Sequence, residues 1–294
     1  MVRIGIVGAG RAGGALGRAL HAAGYPIAAV WSRTAERART LARDVGARSL
    51  ATPADVAVAS DLTLLAIIDT QITPVSVAIA RAAPHTAPTM VVHLSGANGA
   101  ALLQPLADAG YMNGAFHPLQ TFADDRSPIM LGTAFAIEAP EPLQTTLEQI
   151  AQALGGVPLR LAAADRALYH AAATITANYT IALMAQAAAL LERCGLDAQA
   201  SLAALLPLLG GTVANLARLG LPTALTGPIT RGDVDTIARH LAALADRAPE
   251  ILPVYVALAQ AALPLAAAQD MDATRLATIS ALLREHAAEA APPV

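Results

Sequence analysis

Short apolar runs alternate with amphipathic segments through the first half of the chain. The apolar runs span residues 1–7, 26–31, 47–50, 61–68, 89–94, 110–116, 133–138 and 157–161. Helical patterns lie between them, after Gly13 and over residues 35–45, 53–57 (a turn or a short helix), 74–83 and 143–154. This alternation predicts an α/β fold with a doubly wound, mostly parallel sheet.

From residue 162 onward the pattern is helical to the end of the chain. Glycine and proline residues divide it into predicted helices over 165–193, 197–209, 212–219, 233–245, 249–269 and 272–288. The change of pattern predicts two domains, an α/β domain over 1–161 and an all-α domain over 162–294. Residues 289–294 are expected to form a frayed tail.

A glycine-rich segment joins the first strand to the first helix. It reads Gly8-Ala9-Gly10-Arg11-Ala12-Gly13. Gly8 allows the turn, Gly10 lets the backbone approach a pyrophosphate, and Gly13 lets the helix pack close to the sheet. The free N–H groups of the helix, with Arg11 and Ala12 in its first turn, would hold the pyrophosphate. The segment predicts a dinucleotide site in a Rossmann domain, and a plain turn that binds nothing is the alternative.

The end of the second strand indicates which dinucleotide binds. An NAD site usually has an acidic residue there to bind the ribose 2′-hydroxyl, but this chain has Ser32-Arg33-Thr34. A guanidinium can pair with a 2′-phosphate through two parallel hydrogen bonds. NADP is therefore the predicted cofactor. Thr34 is equally interpreted as a helix N-cap, and Arg37 as a second phosphate ligand or a solvated charge.

Polar residues follow two further strands of the predicted sheet. Ligands of such sheets lie beyond the carboxyl ends of the strands. This rule places one group of residues beside the cofactor (Ile67, Ile68, Asp69) and a second group close by (His93, Ser95, Gly96).

Composition excludes several classes of function. The 294 residues carry a net charge of −3 with no basic cluster, so no nucleic-acid partner is expected. All 19 basic residues are arginine, which excludes Schiff-base chemistry on a lysine. No His, Cys or carboxylate spacing is typical of a metal site. A small-molecule substrate is the expected partner.

One uncharged stretch, residues 167–191, is long enough to span a bilayer. Its polar side chains, among them Thr174, Asn178 and Gln186, and its lack of basic flanks favour a helix buried on most sides of a globular domain. No membrane partner is predicted. No signal-peptide pattern opens the chain, so a cytoplasmic protein is expected.

Several short motifs carry a family resemblance. They are HLSG at 93–96, GAFHP at 114–118, YHAAA at 169–173, NY at 178–179 and GPITRGD at 227–233. Together they resemble the bacterial family that joins a Rossmann-like domain to a DUF2520 domain, related to β-hydroxyacid dehydrogenases, ketopantoate reductases and pyrroline-5-carboxylate reductases. The resemblance covers nearly the whole chain. It implies an NADP-dependent oxidoreductase whose helical domain binds substrate and forms a homodimer.

The wider superfamily uses a catalytic lysine in the second domain, which this chain lacks, so another proton donor is needed. His170, Thr174 and Asn178 are spaced i, i+4, i+8 and share one helix face. The resemblance gives His170 the acid role and Asn178 an orienting role, with Thr174 beside the substrate. A structural histidine is the alternative.

Three other residues are candidates for the site. His117 precedes Pro118, which favours an extended loop after a strand, and it is the second candidate for the acid. Ser95, at a strand end, is a further catalytic candidate. Arg231 could bind a substrate carboxylate, whereas Asp233 is interpreted as a helix N-cap.

These residues predict an enzyme that transfers hydride from NADPH to a small 2-oxo acid, ketopantoate among them, or to an imine. The alternative is a redox sensor that binds NADP(H) without turnover. Polar groups along the long helix favour the enzyme, since a sensor would need only the Rossmann half.

Overall fold

The computed structural model describes residues 1–82 and 89–289, in two compact units, Met1–Ala177 and Asn178–Val294. Eight strands lie among the described residues of the first unit. They are β1 Ile4–Val7, β2 Ile27–Trp31, β3 Arg48–Ser49, β4 Leu62–Leu65, β5 Met90–His93, β6 Met112–Pro118, β7 Ala134–Glu138 and β8 Val157–Arg160. They form one sheet in the order β3-β2-β1-β4-β5-β6-β7-β8. All neighbouring pairs are parallel except β6 and β7.

Helices cover both faces of this sheet. They are α1 Arg11–Ala22, α2 Ala35–Asp44, α3 Pro53–Ala59, α4 Ile72–Ala82, α5 Gln104–Asp108 and α6 Leu143–Ala153, followed by α7 Arg166–Thr174. One core cluster joins the sheet to α1, α2 and α6, and the other joins it to α3, α4 and α5. Within β1, Ile6 belongs to the first cluster and Val7 to the second, because successive side chains point to opposite faces. The predicted doubly wound fold is confirmed.

Local sequence explains the start of α3, which the pattern alone left as a turn or a short helix. The Thr52 hydroxyl accepts a hydrogen bond from the Asp55 N–H at 3.1 Å, and the Asp55 carboxylate accepts one from the Thr52 N–H at 3.1 Å. This reciprocal capping, with Pro53 in the first turn, satisfies backbone donors that would otherwise lack partners.

The second unit is helical. Its helices are α8 Thr180–Arg193, α9 Ala198–Leu219, α10 Val234–Arg247, α11 Leu252–Ala267 and α12 Ala273–Glu289. The last three form a core around Ile237, Leu241, Val256 and Leu283. A π-helical turn, Ile175–Tyr179, links α7 to α8. The predicted all-α second half is confirmed.

Some predicted elements differ from the structure. The break expected at Gly210-Gly211 is wrong, because α9 continues through both glycines and through Pro207. These two glycines and the proline each lower helical stability. Leucine and alanine residues flank them, and α9 packs along α8, which stabilises the helix. The strand predicted over 61–68 ends at Leu65, and α5 was not predicted.

The expectation that residues 167–191 form a helix buried on most sides is also wrong. Two apolar helical segments, Ala163–Arg193 and Ala198–Leu219, are largely exposed. Only 6% of the most apolar 18-residue stretch of each segment is buried. Both are long and apolar enough to cross a membrane. Core helices of soluble proteins can have the same length and composition. Among the described residues, too few side chains pack against these apolar segments to cover them.

The two compact units divide after Ala177, whereas the sequence pattern changes near residue 161, just after β8. The predicted boundary therefore marks the end of the sheet, and the first unit also includes α7. The predicted tail beyond residue 289 and the predicted helix end at residue 83 lie outside the described residues.

Candidate active site

The glycine loop after β1 has the geometry that its three glycines predict. Gly8 has a φ of +109°, which disfavours any side chain. A Cβ at Gly13 would lie 1.9 Å from the Gly8 carbonyl oxygen, so only glycine allows this approach of α1 to the loop. A Cβ at Gly10 would meet nothing within 4 Å. The surface over Gly10 is therefore open, as close approach of a pyrophosphate requires, and the loop fits a dinucleotide.

The predicted phosphate ligands lie at the neighbouring strand end. The Gly8 N–H donates to the Trp31 carbonyl at 2.7 Å, which joins the end of β2 to the loop. Thr34 occupies the N-cap of α2, but its side chain makes no capping hydrogen bond. Arg33 and Arg37 are exposed. Ser32 is half-buried, and the hydroxyl and guanidinium groups of this segment remain accessible.

Residues after β4 and β5 form a polar network. The Ser95 hydroxyl donates to Asp69 Oδ2 at 2.8 Å, and Asn98 Nδ2 donates to the same oxygen at 2.7 Å. The Asn98 N–H donates to Ser95 Oγ at 3.2 Å. Ile67 packs beside Gly8, and Ile68 is exposed. Ser95, predicted as catalytic, thus connects the two strand ends through its hydroxyl.

His93 is fully buried within β5 and uses both ring nitrogens inside the fold. Nδ1 accepts from the Ser95 N–H at 3.1 Å, so the ring hydrogen lies on Nε2, which donates to the Gly99 carbonyl at 2.9 Å. Burial lowers the pKa of His93. This histidine therefore shapes the loop after β5 and has no free nitrogen for a substrate.

A buried ion pair lies under the network. Arg166, the first residue of α7, is 1% exposed. Its Nε donates to Glu138 Oε2 at 2.5 Å and its Nη1 to the Ser95 carbonyl at 3.4 Å. Glu138 also accepts from the Ala100 N–H at 3.1 Å. The pair fixes the start of α7 against the ends of β5 and β7.

His117 lies within β6, opposite Ala136 of the antiparallel β7, and not in a loop as predicted. Pro118 favours extended backbone before it, and a strand meets that preference as well as a loop does. His117 Nδ1 and the Tyr169 hydroxyl form a hydrogen bond at 2.7 Å, and the two rings meet edge to face. Tyr169 was not predicted as a site residue.

The two candidate acids converge over Gly96. A Cβ at Gly96 would lie 2.8 Å from His117 Nε2 and 3.0 Å from His170 Cδ2. Glycine at this position therefore lets both imidazole rings pack over one Cα atom. His170 is exposed and His117 is half-buried, so both rings lie at the surface of the first unit.

Burial shifts the pKa values of His117 and Tyr169 in opposite directions. Burial, with the charges of His170 and Arg166 nearby, lowers the pKa of His117 from 6.5 to about 4. Burial raises the pKa of Tyr169 to about 12. Near neutral pH the pair is therefore a neutral imidazole bonded to a neutral phenol.

The other predicted residues lie at the end of α7, in the π-helical turn and in the second unit. Thr174 ends α7, and Asn178 lies in the π-helical turn, where the wider turn interrupts the predicted i, i+4, i+8 spacing. Arg231 lines a depression of about 500 Å³ in the second unit together with Arg275. Asp233 is the N-cap of α10 and accepts from the Thr236 N–H at 3.0 Å, which confirms its interpretation as a helix cap.

Sequence reasoning missed Tyr169, Arg166, Glu138 and Asn98. The available signals were weak: Tyr169 adjoins His170 in a motif, and Arg166 stands near the start of a predicted helix. Over residues 1–82 and 89–289, no three His, Cys, Asp or Glu side chains are grouped so that they could hold a metal ion.

Two family models match the chain. The Rossmann-like domain matches residues 1–118, and the domain of unknown function DUF2520 matches residues 133–262. The resemblance predicted from the motifs is confirmed. No curated protein matches the chain.

Solved structures are similar over most of the chain. A candidate NADP oxidoreductase from Bacteroides fragilis is 29% identical, with a TM-score of 0.70 over 89% of this chain and 97% of that one. An NADP-bound pyrroline carboxylate reductase from Plasmodium falciparum is 12% identical, with a TM-score of 0.60 over 99% and 98%. A reductive aminase from Aspergillus terreus, solved with NADPH and ethyl-5-oxohexanoate, is 20% identical, with a TM-score of 0.58 over 98% and 94%. The last two likenesses show the fold alone.

Two glycine variants should separate folding from dinucleotide binding. Gly13→Ala places a methyl group against the Gly8 carbonyl and should lower stability by about 1–3 kcal/mol. Gly10→Ala meets no protein atom, so its melting temperature should match the wild type while its affinity for NADPH falls at least tenfold. Thermal melts and calorimetry measure both effects. Unchanged NADPH affinity in Gly10→Ala would contradict the assigned binding surface.

Proposed function

We propose that this chain, a member of the Rossmann-like plus DUF2520 family, is an NADP-dependent oxidoreductase that reduces a small 2-oxo acid or an imine. Ketopantoate is one candidate substrate. The observation that carries the proposal is the convergence of His117 and His170 over Gly96. Because β1 and β5 run in the same direction, Gly96 and the glycine loop follow strand ends on one edge of the sheet. The dinucleotide-binding loop and the two histidines over Gly96 therefore lie at the same edge of the sheet.

The cofactor proposal rests on the loop and on the strand end beside it. Gly8, Gly10 and Gly13 leave room for a pyrophosphate over the first N–H groups of α1, including those of Arg11 and Ala12. Arg33 offers a guanidinium to a 2′-phosphate. When bound, NADPH supplies the hydride. The Bacteroides fragilis relative, described as a candidate NADP oxidoreductase, supports the same cofactor.

His170 is the proposed proton donor. Reduction of a carbonyl places negative charge on its oxygen, which then takes a proton. His170 is exposed, and an imidazolium is a suitable acid near neutral pH. The low pKa of His117 leaves that ring neutral and supports His170 in this role. Exposure of His170 also allows solvent to return the proton after each turnover.

Other predicted residues take supporting roles in the proposal. Ser95 orients the loop after β5, because its hydroxyl hydrogen bonds Asp69. Thr174, one turn after His170 on α7, is a substrate contact. Asn178 and Arg231 belong to the second unit, and their roles in orienting a substrate stay predictions from the sequence.

Replacing the proposed donor tests the function directly. His170→Ala should lower kcat by about 10²–10⁴-fold with the best substrate from a panel of 2-oxo acids and imines, because the acid is lost. Its affinity for NADPH should stay within a few-fold. NADPH oxidation measured by absorbance gives the rate, and His21→Ala, at the far end of α1, is the control.

Two outcomes would contradict this proposal. If kcat of His170→Ala holds within a few-fold while thermal stability drops, His170 is structural and His117 becomes the candidate for the acid. Stoichiometric NADPH binding by the wild type, with no oxidation across the panel, would support a redox sensor.

We also infer that the chain is a soluble, cytoplasmic homodimer joined through its helical domain. Exposed apolar side chains along α8 and α9 support an interface, among them Ile181 (72% exposed), Leu208 (68%) and Val213 (59%). Thr212 and Asn215 interrupt the apolar surface of α9, which favours a protein partner over lipid. A second copy presents the same surface and can cover it.

The dimer predicts a specific mass change. Light scattering at micromolar concentration should give twice the 29.9 kDa chain mass for the wild type. Leu208→Asp should shift the protein toward monomer, because it would bury a charge in the interface. Val58→Asp, at an exposed position of α3, should leave the dimer intact. A wild-type monomer, or recovery of the protein only in detergent, would contradict the inference.

A further inference from the structure

We propose that Tyr169 fixes His117 in the tautomer that carries its hydrogen on Nε2, and that this N–H binds the carbonyl oxygen of the substrate. The inference rests on the proposed function and narrows its substrate class to a 2-oxo acid or another carbonyl compound, in preference to a protonated imine. His117 is then a substrate-binding residue and Tyr169 a positioning residue.

The hydrogen bond between Tyr169 and His117 determines the tautomer. A neutral imidazole has one N–H and one acceptor nitrogen, and the partner of one nitrogen decides where the hydrogen lies. Tyr169 Oη lies 2.7 Å from Nδ1. A phenol donates a hydrogen bond more readily than it accepts one, because its oxygen lone pair is delocalised into the ring. Nδ1 is therefore the acceptor, and the hydrogen of His117 lies on Nε2.

His93, on the neighbouring strand β5, has its tautomer set in the same way, but its Nε2 hydrogen is already used. His93 Nδ1 accepts from a backbone N–H, and its Nε2 hydrogen is used on the Gly99 carbonyl. His117 Nε2, in contrast, has no hydrogen-bond partner within the part of the chain that the structure describes. It lies against Gly96, which has no side chain of its own to cover it. Both ring nitrogens of His93 are thus used within the fold, whereas His117 presents an unused N–H donor.

Burial keeps the His117 ring neutral, and most of the nearby charges act in the same direction. His170, Arg166 and His93 disfavour its protonation, and Asp69 opposes them, but burial is the largest effect and lowers the pKa to about 4. A neutral imidazole still polarises a carbonyl by donating its N–H to the oxygen. The arrangement therefore supplies a hydrogen-bond donor that does not itself give up a proton.

A donor at this position discriminates between substrate classes. In the reduction of a carbonyl, bound NADPH would supply the hydride that adds to the carbon and would leave as NADP⁺. The oxygen accepts a hydrogen bond from Nε2–H before it takes the proton of His170, and His117 keeps its hydrogen. The nitrogen of a protonated imine has no lone pair to accept that bond. Its N–H would face the N–H of His117, which disfavours binding.

Nitrogen-15 NMR of the protein without cofactor tests the tautomer independently of turnover. His117 should show an unprotonated Nδ1 and a protonated Nε2 at pH 7. Tyr169→Phe should convert this signal into a mixture of tautomers. Tyr255→Phe is the matched control, because Tyr255 makes the same kind of bond, at 2.9 Å, to His240 Nδ1 in the second unit. A hydrogen on Nδ1 in the wild type, or an unchanged His117 signal in Tyr169→Phe, would overturn the inference.

Kinetics test the substrate class. The best 2-oxo acid of the panel should be turned over at least tenfold faster than 1-pyrroline, and Tyr169→Phe should lower kcat for the 2-oxo acid at least tenfold, with KM and melting temperature nearly unchanged. Tyr255→Phe should keep wild-type rates. Preference for 1-pyrroline, unaffected by Tyr169→Phe, would overturn the inference and leave the oxidoreductase in place. No turnover of any substrate would instead remove the proposed function, and the NMR result would still decide the tautomer.

Discussion

A buried guanidinium holds the candidate site in place. Arg166 is almost completely enclosed, and its charge is balanced by Glu138, which is itself one-fifth exposed at the side chain. Removing one partner of such a pair typically costs about 3–5 kcal/mol, because the other charge is left uncompensated in a poorly solvated site. The start of α7 therefore has little freedom to move away from the strand ends. One guanidinium nitrogen, Nη2, has no partner among the described atoms, so the pair is not saturated.

The rest of the site follows from this anchor. Tyr169 and His170 lie three and four residues after Arg166, so all three side chains share one face of the helix. That face meets the loop after β5 and the end of β6. Gly96 permits the final approach of both imidazole rings. The charge of Arg166 also disfavours protonation of His117, so one residue contributes both to the position and to the ionisation of the group beside it.

Sequence alone predicted the parts of the molecule that local rules determine. Strand periodicity and the conformational roles of Gly8 and Gly13 depend on a few neighbouring residues, and the structure agrees with them. Asp233 as an N-cap is of the same kind. The pairing of Arg166 with Glu138 joins residues far apart in the chain, and no periodicity indicates it. Tyr169 was missed because its role depends on His117, which only the fold brings within hydrogen-bond distance.

Two errors had physical causes of a different kind. Pro118 correctly indicated extended backbone at His117, but extended backbone occurs in strands as well as in loops, and only the pairing with β7 decides between them. The uncharged helix at 167–191 was expected to be buried in a globular domain because its polar side chains and its lack of basic flanks argue against a membrane span. Burial depends on what packs against a helix, and too few of the residues that the structure describes pack against this one.

Titration of His117 by NMR tests the central claim most directly, since a neutral ring beside His170 underlies the site. In wild-type protein the ring should titrate near pH 4 and stay neutral above about pH 5, well below its ordinary value of 6.5. Because the folded state then binds this proton less tightly than the unfolded chain, the free energy of unfolding should fall as the pH drops from 6.5 toward 4. A His117 resonance that titrates near 6.5 would contradict the account.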